Sequence, residues 1–174
     1  SCMDSSGTLG AVASLDGFKN PVHVARLVSQ SDYSVLAGRG AAEFALNQGC
    51  KSVARDEISN TGKDFSTTDT VGCVVQMGNE FAAALSTGGI DDAIPGRVGD
   101  VPLIGCWLYA GAAGAVATTG DGEAIAMQVT ALRAYQLIEQ GMYPKANVPT
   151  VTGWFKESTA FGILVVSKTG FAGG

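Results

Sequence analysis

Residues 70–86 read TVGCVVQMGNEFAAALS and consist of two apolar runs separated by Gly78-Asn79. The first run, 70–77, is rich in valine and is a strong strand candidate. Gly-Asn is a turn signal, so the second run, 80–86, is predicted to return as the other strand of a hairpin. The preceding residues, 56–69 (DEISNTGKDFSTTD), are almost wholly polar and predict an exposed linker. The chain therefore changes abruptly at Thr70 from linker to strand.

Outside this hairpin the sequence alternates between short apolar runs and helical patterns. Asn20-Pro21 is a strong helix start, because asparagine caps the first turn and proline fits the first helical position. The patterns predict strands at 9–15, 33–37, 103–109, 114–119 and 161–167, and helices at 21–30, 40–48 and 123–140. This order indicates layered α and β structure (an α+β fold) and not a helical bundle.

Composition excludes several classes of protein. The 174 residues are 46% hydrophobic and only 16% charged, against about 25% in an average protein, so the chain is not a disordered tail. A net charge of −5 argues against a nucleic-acid partner. No apolar run approaches the ~18–20 residues of a membrane span, so no membrane association is expected. The length predicts a single domain over residues 1–174.

The cysteines and the single histidine also limit the chemistry. Cys2, Cys50, Cys73 and Cys106 form no Cys-x-x-Cys pair, so buried free thiols are expected in place of disulfides or a zinc site. His23 lies in a helical pattern, where a surface or structural role is favoured over that of a catalytic base. We expect a cytoplasmic protein; a secretion signal, if there is one, would precede Ser1.

Four glycine-containing motifs follow the linker: DTVG at 69–72, STGG at 86–89, PGRVGD at 95–100 and TTGDGE at 118–123. Each alone is weak, because turns and solvated loops use the same residues. Together, in this order and spacing, they resemble the family of plant-type asparaginases, isoaspartyl peptidases and glycosylasparaginases, which are N-terminal nucleophile hydrolases. Residues 10–28 and 38–49 resemble the α-chain of the same family.

The resemblance implies a four-layer αββα sandwich and a precursor that cleaves itself between Asp69 and Thr70. Residues 1–69 would then be a partial α-subunit segment that ends in the cleavage linker, and residues 70–174 a β-subunit segment. The Thr70 hydroxyl would be the nucleophile of both self-cleavage and catalysis. Its freed α-amine, with an ordinary pKa of about 7.7–8.0, would be the base, which explains how a hydrolase could work with one histidine.

The resemblance also implies roles for five further residues. Arg97 would grip the α-carboxylate of the substrate, since a guanidinium fork matches a planar carboxylate. Asp100 would pair with the α-ammonium group. The Thr119 hydroxyl and the Gly120 N–H would form the oxyanion hole. Thr87 would lie beside the nucleophile and tune its hydroxyl.

The expected function is hydrolysis of β-aspartyl amides, namely L-asparagine and isoaspartyl dipeptides. The alternatives are a glycosylasparaginase, which cleaves the link between an N-glycan and asparagine, and a non-catalytic structural relative. No cofactor is expected; the family's structural sodium ion is bound by a loop that lies in family segments preceding Ser1. The partners are a small-molecule substrate and a second copy, since the family forms dimers of αβ units. Trp107 stands where the family has a small residue, and either reshapes the pocket or belongs to the core.

Overall fold

The computed structural model describes residues 1–54, 70–90 and 93–174. The predicted linker at 56–69, including Asp69, lies outside the described residues. Within them the chain forms two β-sheets and five helices of mixed α/β organisation. The prediction of layered α and β structure is thereby confirmed.

The first sheet has five strands in the order β3-β2-β1-β5-β4. The strands are β1 (Cys2–Asp4), β2 (Leu9–Ala13), β3 (Val35–Ala37), β4 (Thr70–Met77) and β5 (Glu80–Thr87). The predicted hairpin is confirmed: β4 and β5 are antiparallel, and their register pairs Met77 with Glu80 at the turn and Thr70 with Thr87 at the open end. Only β2 and β3 are parallel in this sheet, with the helix Pro21–Ser29 in the connection between them.

The second sheet is an antiparallel meander in the order β6-β7-β8-β9. Its strands are β6 (Leu108–Gly111), β7 (Gly114–Gly120), β8 (Phe161–Ser167) and β9 (Gly170–Gly173). Successive side chains of β7 point to opposite faces. Ala115 and Ala117 therefore pack towards the first sheet, whereas Val116 packs towards the helices.

Helices cover the outer sides of the stacked sheets. They are α1 (Pro21–Ser29), α2 (Gly38–Asn47), α3 (Gly122–Gln128), α4 (Thr130–Glu139) and α5 (Pro144–Thr152). Helix α1 packs on β2, whereas α4 contacts β6 and β7 and α5 contacts β8 and β9. The inner core joins the two sheets through Phe81, Ala83 and Leu85 of β5, which lie against Leu108 and Ala110 of β6. Burial of a large apolar side chain such as Phe81 or Leu108 contributes about 2 kcal/mol to the free energy of unfolding.

The structure corrects several sequence predictions. The strand predicted at 103–109 begins only at Leu108, because residues 101–107 form turns. The single helix predicted at 123–140 is two helices, separated by Val129 in the left-handed conformation (φ 47°), which costs a β-branched residue about 1–2 kcal/mol. Strands β1 and β9 and helix α5 were not predicted. Short strands such as β1 have too few residues for a periodic signal.

His23 is exposed on α1, in agreement with the prediction, and all four cysteines are free thiols as expected. The expectation that the thiols are buried is confirmed only for Cys106, because Cys73 is exposed on edge strand β4 and Cys2 and Cys50 are partly buried. No helix among the described residues is long and apolar enough to span a bilayer.

Candidate active site

A cavity of about 370 Å³ opens where the two sheets meet the loop after β2. Its walls come from residues 12–18, the open end of the β4–β5 hairpin, residues 97–102 and the start of α3. It brings together five of the residues predicted from sequence, although they are spread over 50 positions of the chain: Thr70, Thr87, Arg97, Asp100 and Gly120. The sixth, Thr119, does not line this cavity.

Two threonine hydroxyls meet at the open end of the hairpin. Thr70 is the first residue of β4 and lies directly opposite Thr87, the last residue of β5. The Thr70 hydroxyl donates a 3.2 Å hydrogen bond to the Thr87 hydroxyl oxygen, which also accepts the backbone N–H of Gly89 at 3.1 Å. Both threonines are half-buried. The arrangement fixes the direction of the Thr70 hydroxyl proton while leaving its oxygen at the cavity.

Arg97 and Asp100 lie side by side against the first residue of α3. A Cβ atom on Gly122 would lie 2.4 Å from Asp100 Oδ1 and 3.3 Å from Arg97 Nη2. Only a residue without a side chain therefore allows both groups their present positions. A guanidinium and a carboxyl group thus lie within reach of the same small ligand, a combination suited to the carboxylate and ammonium groups of an amino acid.

The carboxyl group of Asp100 is only 3% exposed, and its Oδ2 has no hydrogen-bond partner among the described residues. Burial raises the pKa of Asp100 from 3.8 to about 8, although the nearby Arg97 opposes the shift. A buried carboxyl without a full set of partners resists ionisation. A cationic group bound in the cavity would supply the missing partner.

Thr119 and Gly120 end strand β7 close to Thr70. Thr119 lines a neighbouring cavity of about 290 Å³, which Thr70 also lines. Gly120 has a φ of 129°, and a Cβ there would lie 2.0 Å from the carbonyl oxygen of Ala160. No other residue fits at Gly120 without moving the backbone. Thr70 therefore lines both cavities, one together with Gly120 and the other together with Thr119.

Sequence reasoning missed the partner of Arg97. The Glu123 carboxylate accepts hydrogen bonds from Arg97 Nε at 2.9 Å and from Nη2 at 3.0 Å. This contact raises the pKa of Arg97 and lowers the pKa of Glu123. Glu123 belongs to the TTGDGE motif, but nothing in the sequence links it to an arginine 26 positions earlier.

Trp107, for which the sequence left two roles open, belongs to the core. Its side chain is 3% exposed within the inner core, and it also lines the larger cavity. The loop after β2 also contributes to this cavity and was not predicted to do so; within it, Ser14 has a φ of 50°. Across residues 1–54, 70–90 and 93–174, no group of three or more His, Cys, Asp or Glu side chains is placed to hold a metal ion.

Comparison with known proteins identifies the family of this chain. The profile of the asparaginase family matches residues 1–63 and 54–173. The chain is 35% identical over 184 aligned residues to an isoaspartyl peptidase/L-asparaginase of Danio rerio, an alignment that covers 92% of this chain. It is 38% identical to a plant-type L-asparaginase of Pyrobaculum calidifontis, over 78% of this chain.

A third relative has a different named activity. The N(4)-(β-N-acetylglucosaminyl)-L-asparaginase of Elizabethkingia miricola is 34% identical over 82% of this chain. The alignments span 59%, 52% and 47% of the lengths of the three relatives, so the chain covers about half of each. The family profile matches nearly the whole sequence, and the chain belongs to the asparaginase family.

Proposed function

We propose that this chain is a self-processing threonine amidohydrolase that cleaves β-aspartyl amide bonds, with L-asparagine and isoaspartyl dipeptides as substrates. The observation that carries the proposal is the convergence on one cavity of a hydroxyl pair (Thr70 and Thr87) and a charged pair (Arg97 and Asp100). The names of relatives from Danio rerio and Pyrobaculum calidifontis support asparaginase chemistry. In fold, we propose the four-layer αββα sandwich, which the packing of helices on both sheets supports.

Self-processing would divide the chain into segments 1–69 and 70–174. The Thr70 hydroxyl would add to the carbonyl carbon of Asp69, the peptide C–N bond would break, and the proton would pass to the released amine. This step frees the α-amine of Thr70, and water would then hydrolyse the resulting ester, which releases the Asp69 carboxylate and restores the Thr70 hydroxyl. The rigid pairing of Thr70 with Thr87 supports this step, because it holds the nucleophile fixed at a strand end.

In turnover the freed α-amine would take the proton of the Thr70 hydroxyl as the oxygen attacks the side-chain amide carbon of the substrate. Thr119 and Gly120 would stabilise the negative charge that develops on the amide oxygen, a contribution of about 3 kcal/mol for one donor. Ammonia or an amine would leave with a proton, and water would release aspartate. Arg97 and Asp100 would hold the α-carboxylate and α-ammonium groups throughout. The reaction needs no cofactor.

A second candidate is cleavage of the bond between an N-glycan and asparagine. The relative from Elizabethkingia miricola, whose name states that activity, favours it. Both candidates use the same charged pair, and they differ in what occupies the leaving-group side of Thr70.

We also propose a homodimer of αβ units. Edge strand β4 exposes the apolar side chains of Val71 (71%) and Met77 (73%), which supports a face that is covered by a second copy.

The deciding experiment is intact mass under denaturing conditions, followed over time. Wild type should split into two pieces, the second beginning at Thr70, whereas Thr70→Ala should stay whole. Thr150→Ala is a matched control, because Thr150 is exposed on α5 and lies away from both cavities. Processed protein would then be assayed with L-asparagine, an isoaspartyl dipeptide and a glycosylated asparagine. A wild-type chain that never splits would contradict the nucleophile assignment and favour the non-catalytic relative.

A further inference from the structure

The Arg97–Glu123 pair has an orientation that the proposed reaction does not by itself explain. A guanidinium presents two edges to carboxylates: one formed by Nε and one Nη, and one formed by the two Nη atoms. Glu123 occupies the first edge with both oxygens, at 2.9 and 3.0 Å. Two of the five N–H donors are thereby used. The edge formed by Nη1 and Nη2 keeps its donors for another carboxylate.

The two partners lie in different environments. The Arg97 side chain is only 15% exposed and lines the larger cavity, whereas the Glu123 side chain is 67% exposed and does not line it. Glu123 therefore approaches the guanidinium from the solvent side. It belongs to the first turn of α3, which the Asp121 side chain caps by accepting the Ala124 N–H at 3.0 Å. The carboxylate is thus attached to a fixed backbone.

Two glycines keep the space beside the Nη atoms open. A Cβ on Gly99 would lie 3.2 Å from Nη1, and a Cβ on Gly122 would lie 3.3 Å from Nη2. Gly99 and Gly122 also line the cavity. Glu123 therefore occupies one edge of the Arg97 guanidinium, and glycines at 99 and 122 leave space beside Nη1 and Nη2.

We propose that Glu123 is a positioning residue, which turns the Nη1–Nη2 edge of Arg97 into the cavity as a receptor for the α-carboxylate of the ligand. This inference rests on the proposed function for the identity of the ligand. Without Glu123 the arginine side chain has no partner on its Nε edge and rotates among several conformations. Glu123 thereby raises selectivity for ligands with a free α-carboxylate, although it does not contact them.

A double-mutant cycle on the binding of L-aspartate, the proposed product, tests this coupling. Glu123→Gln should weaken aspartate binding about fivefold to tenfold in the wild-type background. In an Arg97→Ala background the same change should alter the dissociation constant by less than about twofold. Glu43→Gln is the matched control, since it removes the exposed i,i+4 ion pair of Arg39 on α2 and should change neither value. In turnover, KM for L-asparagine should rise by a larger factor than kcat falls.

Equal effects of Glu123→Gln in both backgrounds, or none in the wild-type background, would overturn the proposal, as would a wild-type protein that does not bind aspartate. Folding is checked by thermal unfolding, and Glu123→Asp provides a second variant that keeps the charge but shortens its reach; it should fall between wild type and Glu123→Gln. The cycle measures binding only. Failure of the proposed hydrolase activity is separate, because it is seen as absent chain splitting and absent ammonia release.

Discussion

The hydroxyl of Thr70 donates a hydrogen bond to the hydroxyl of Thr87 across the last paired position of the β4–β5 hairpin, at 3.2 Å. The bond depends on register, because a shift by one residue would turn one of the two side chains to the opposite face of the sheet. The Thr87 oxygen is itself held by the Gly89 N–H. The position of the candidate nucleophile therefore follows directly from the pairing of two strands.

Replacing Thr87 by valine removes the acceptor while keeping the shape of the side chain. We expect Thr87→Val to slow chain splitting at Thr70 by about 100-fold, the lower range for loss of a positioned proton-transfer partner. Thr87→Ser retains the hydroxyl and should remain within about tenfold of wild type. The rate is measured by intact mass against time. If Thr87→Val splits at the same rate as wild type, Thr87 has no role in the proposed self-cleavage.

Arg97→Lys keeps the positive charge but loses the planar guanidinium group with its paired N–H donors. An ammonium group cannot hold Glu123 on one edge and a ligand carboxylate on the other. We expect KM for L-asparagine to rise at least about tenfold, with a smaller change in kcat. Arg39→Lys, at an exposed arginine paired with Glu43, is the control and should leave KM unchanged. An unchanged KM in Arg97→Lys would mean that Arg97 does not hold the substrate carboxylate.

The raised pKa of Asp100 makes stability depend on pH. Because its pKa is about 8 in the folded state against 3.8 ordinarily, the folded state holds a proton that the unfolded chain releases. This contribution is complete below pH 3.8 and is lost as pH rises towards 8. In Asp100→Asn an amide that does not titrate replaces the carboxyl group, so this pH dependence is absent.

We therefore expect the free energy of unfolding of wild type to fall relative to that of Asp100→Asn between pH 4 and 8. Thermal unfolding at each pH measures the difference in Tm between the two proteins, which should widen steadily from pH 4 to pH 8. The exposed Asp32, changed to asparagine, provides the control and should follow wild type at every pH. A constant difference between wild type and Asp100→Asn over this pH range would contradict the raised pKa.

Gly122→Ala places a methyl group 2.4 Å from Asp100 Oδ1 and forces the charged pair apart. We expect a KM for L-asparagine raised about tenfold or more. Gly40→Ala is a matched control, because Gly40 lies within α2 and nothing lies within 4 Å of its added Cβ. The control should fold with equal or slightly higher stability, since alanine favours helix by about 1 kcal/mol over glycine. If Gly122→Ala has the kinetics of wild type, Arg97 and Asp100 can move apart without any loss of substrate binding.

The hairpin and the helix that begins at Pro21 could be predicted from sequence, because turn residues and a proline at the first helical position act locally. The predicted cap was wrong in its chemistry, since the Asn20 side chain makes no capping hydrogen bond. The division between α3 and α4 could not be predicted. Residues 123–140 have a continuous helical pattern, yet Val129 adopts a left-handed conformation that tertiary packing must stabilise. Val129 packs against the turn before β6, since a Cβ on Gly105 would lie 3.3 Å from Val129 Cγ1. Sequence patterns over neighbouring residues do not predict such a contact.

The sequence by itself determined the hairpin, the mixed α/β organisation and the set of motif residues that identified the family, since these depend on short-range periodicity and on residue types in order. Tertiary structure alone decided that Arg97 pairs with Glu123, that Asp100 is buried, and that β1 lies between β2 and β5. Each of these depends on groups distant in the chain coming within a few ångströms. Burial and ion pairing follow from that packing, and no property of the isolated residues specifies it.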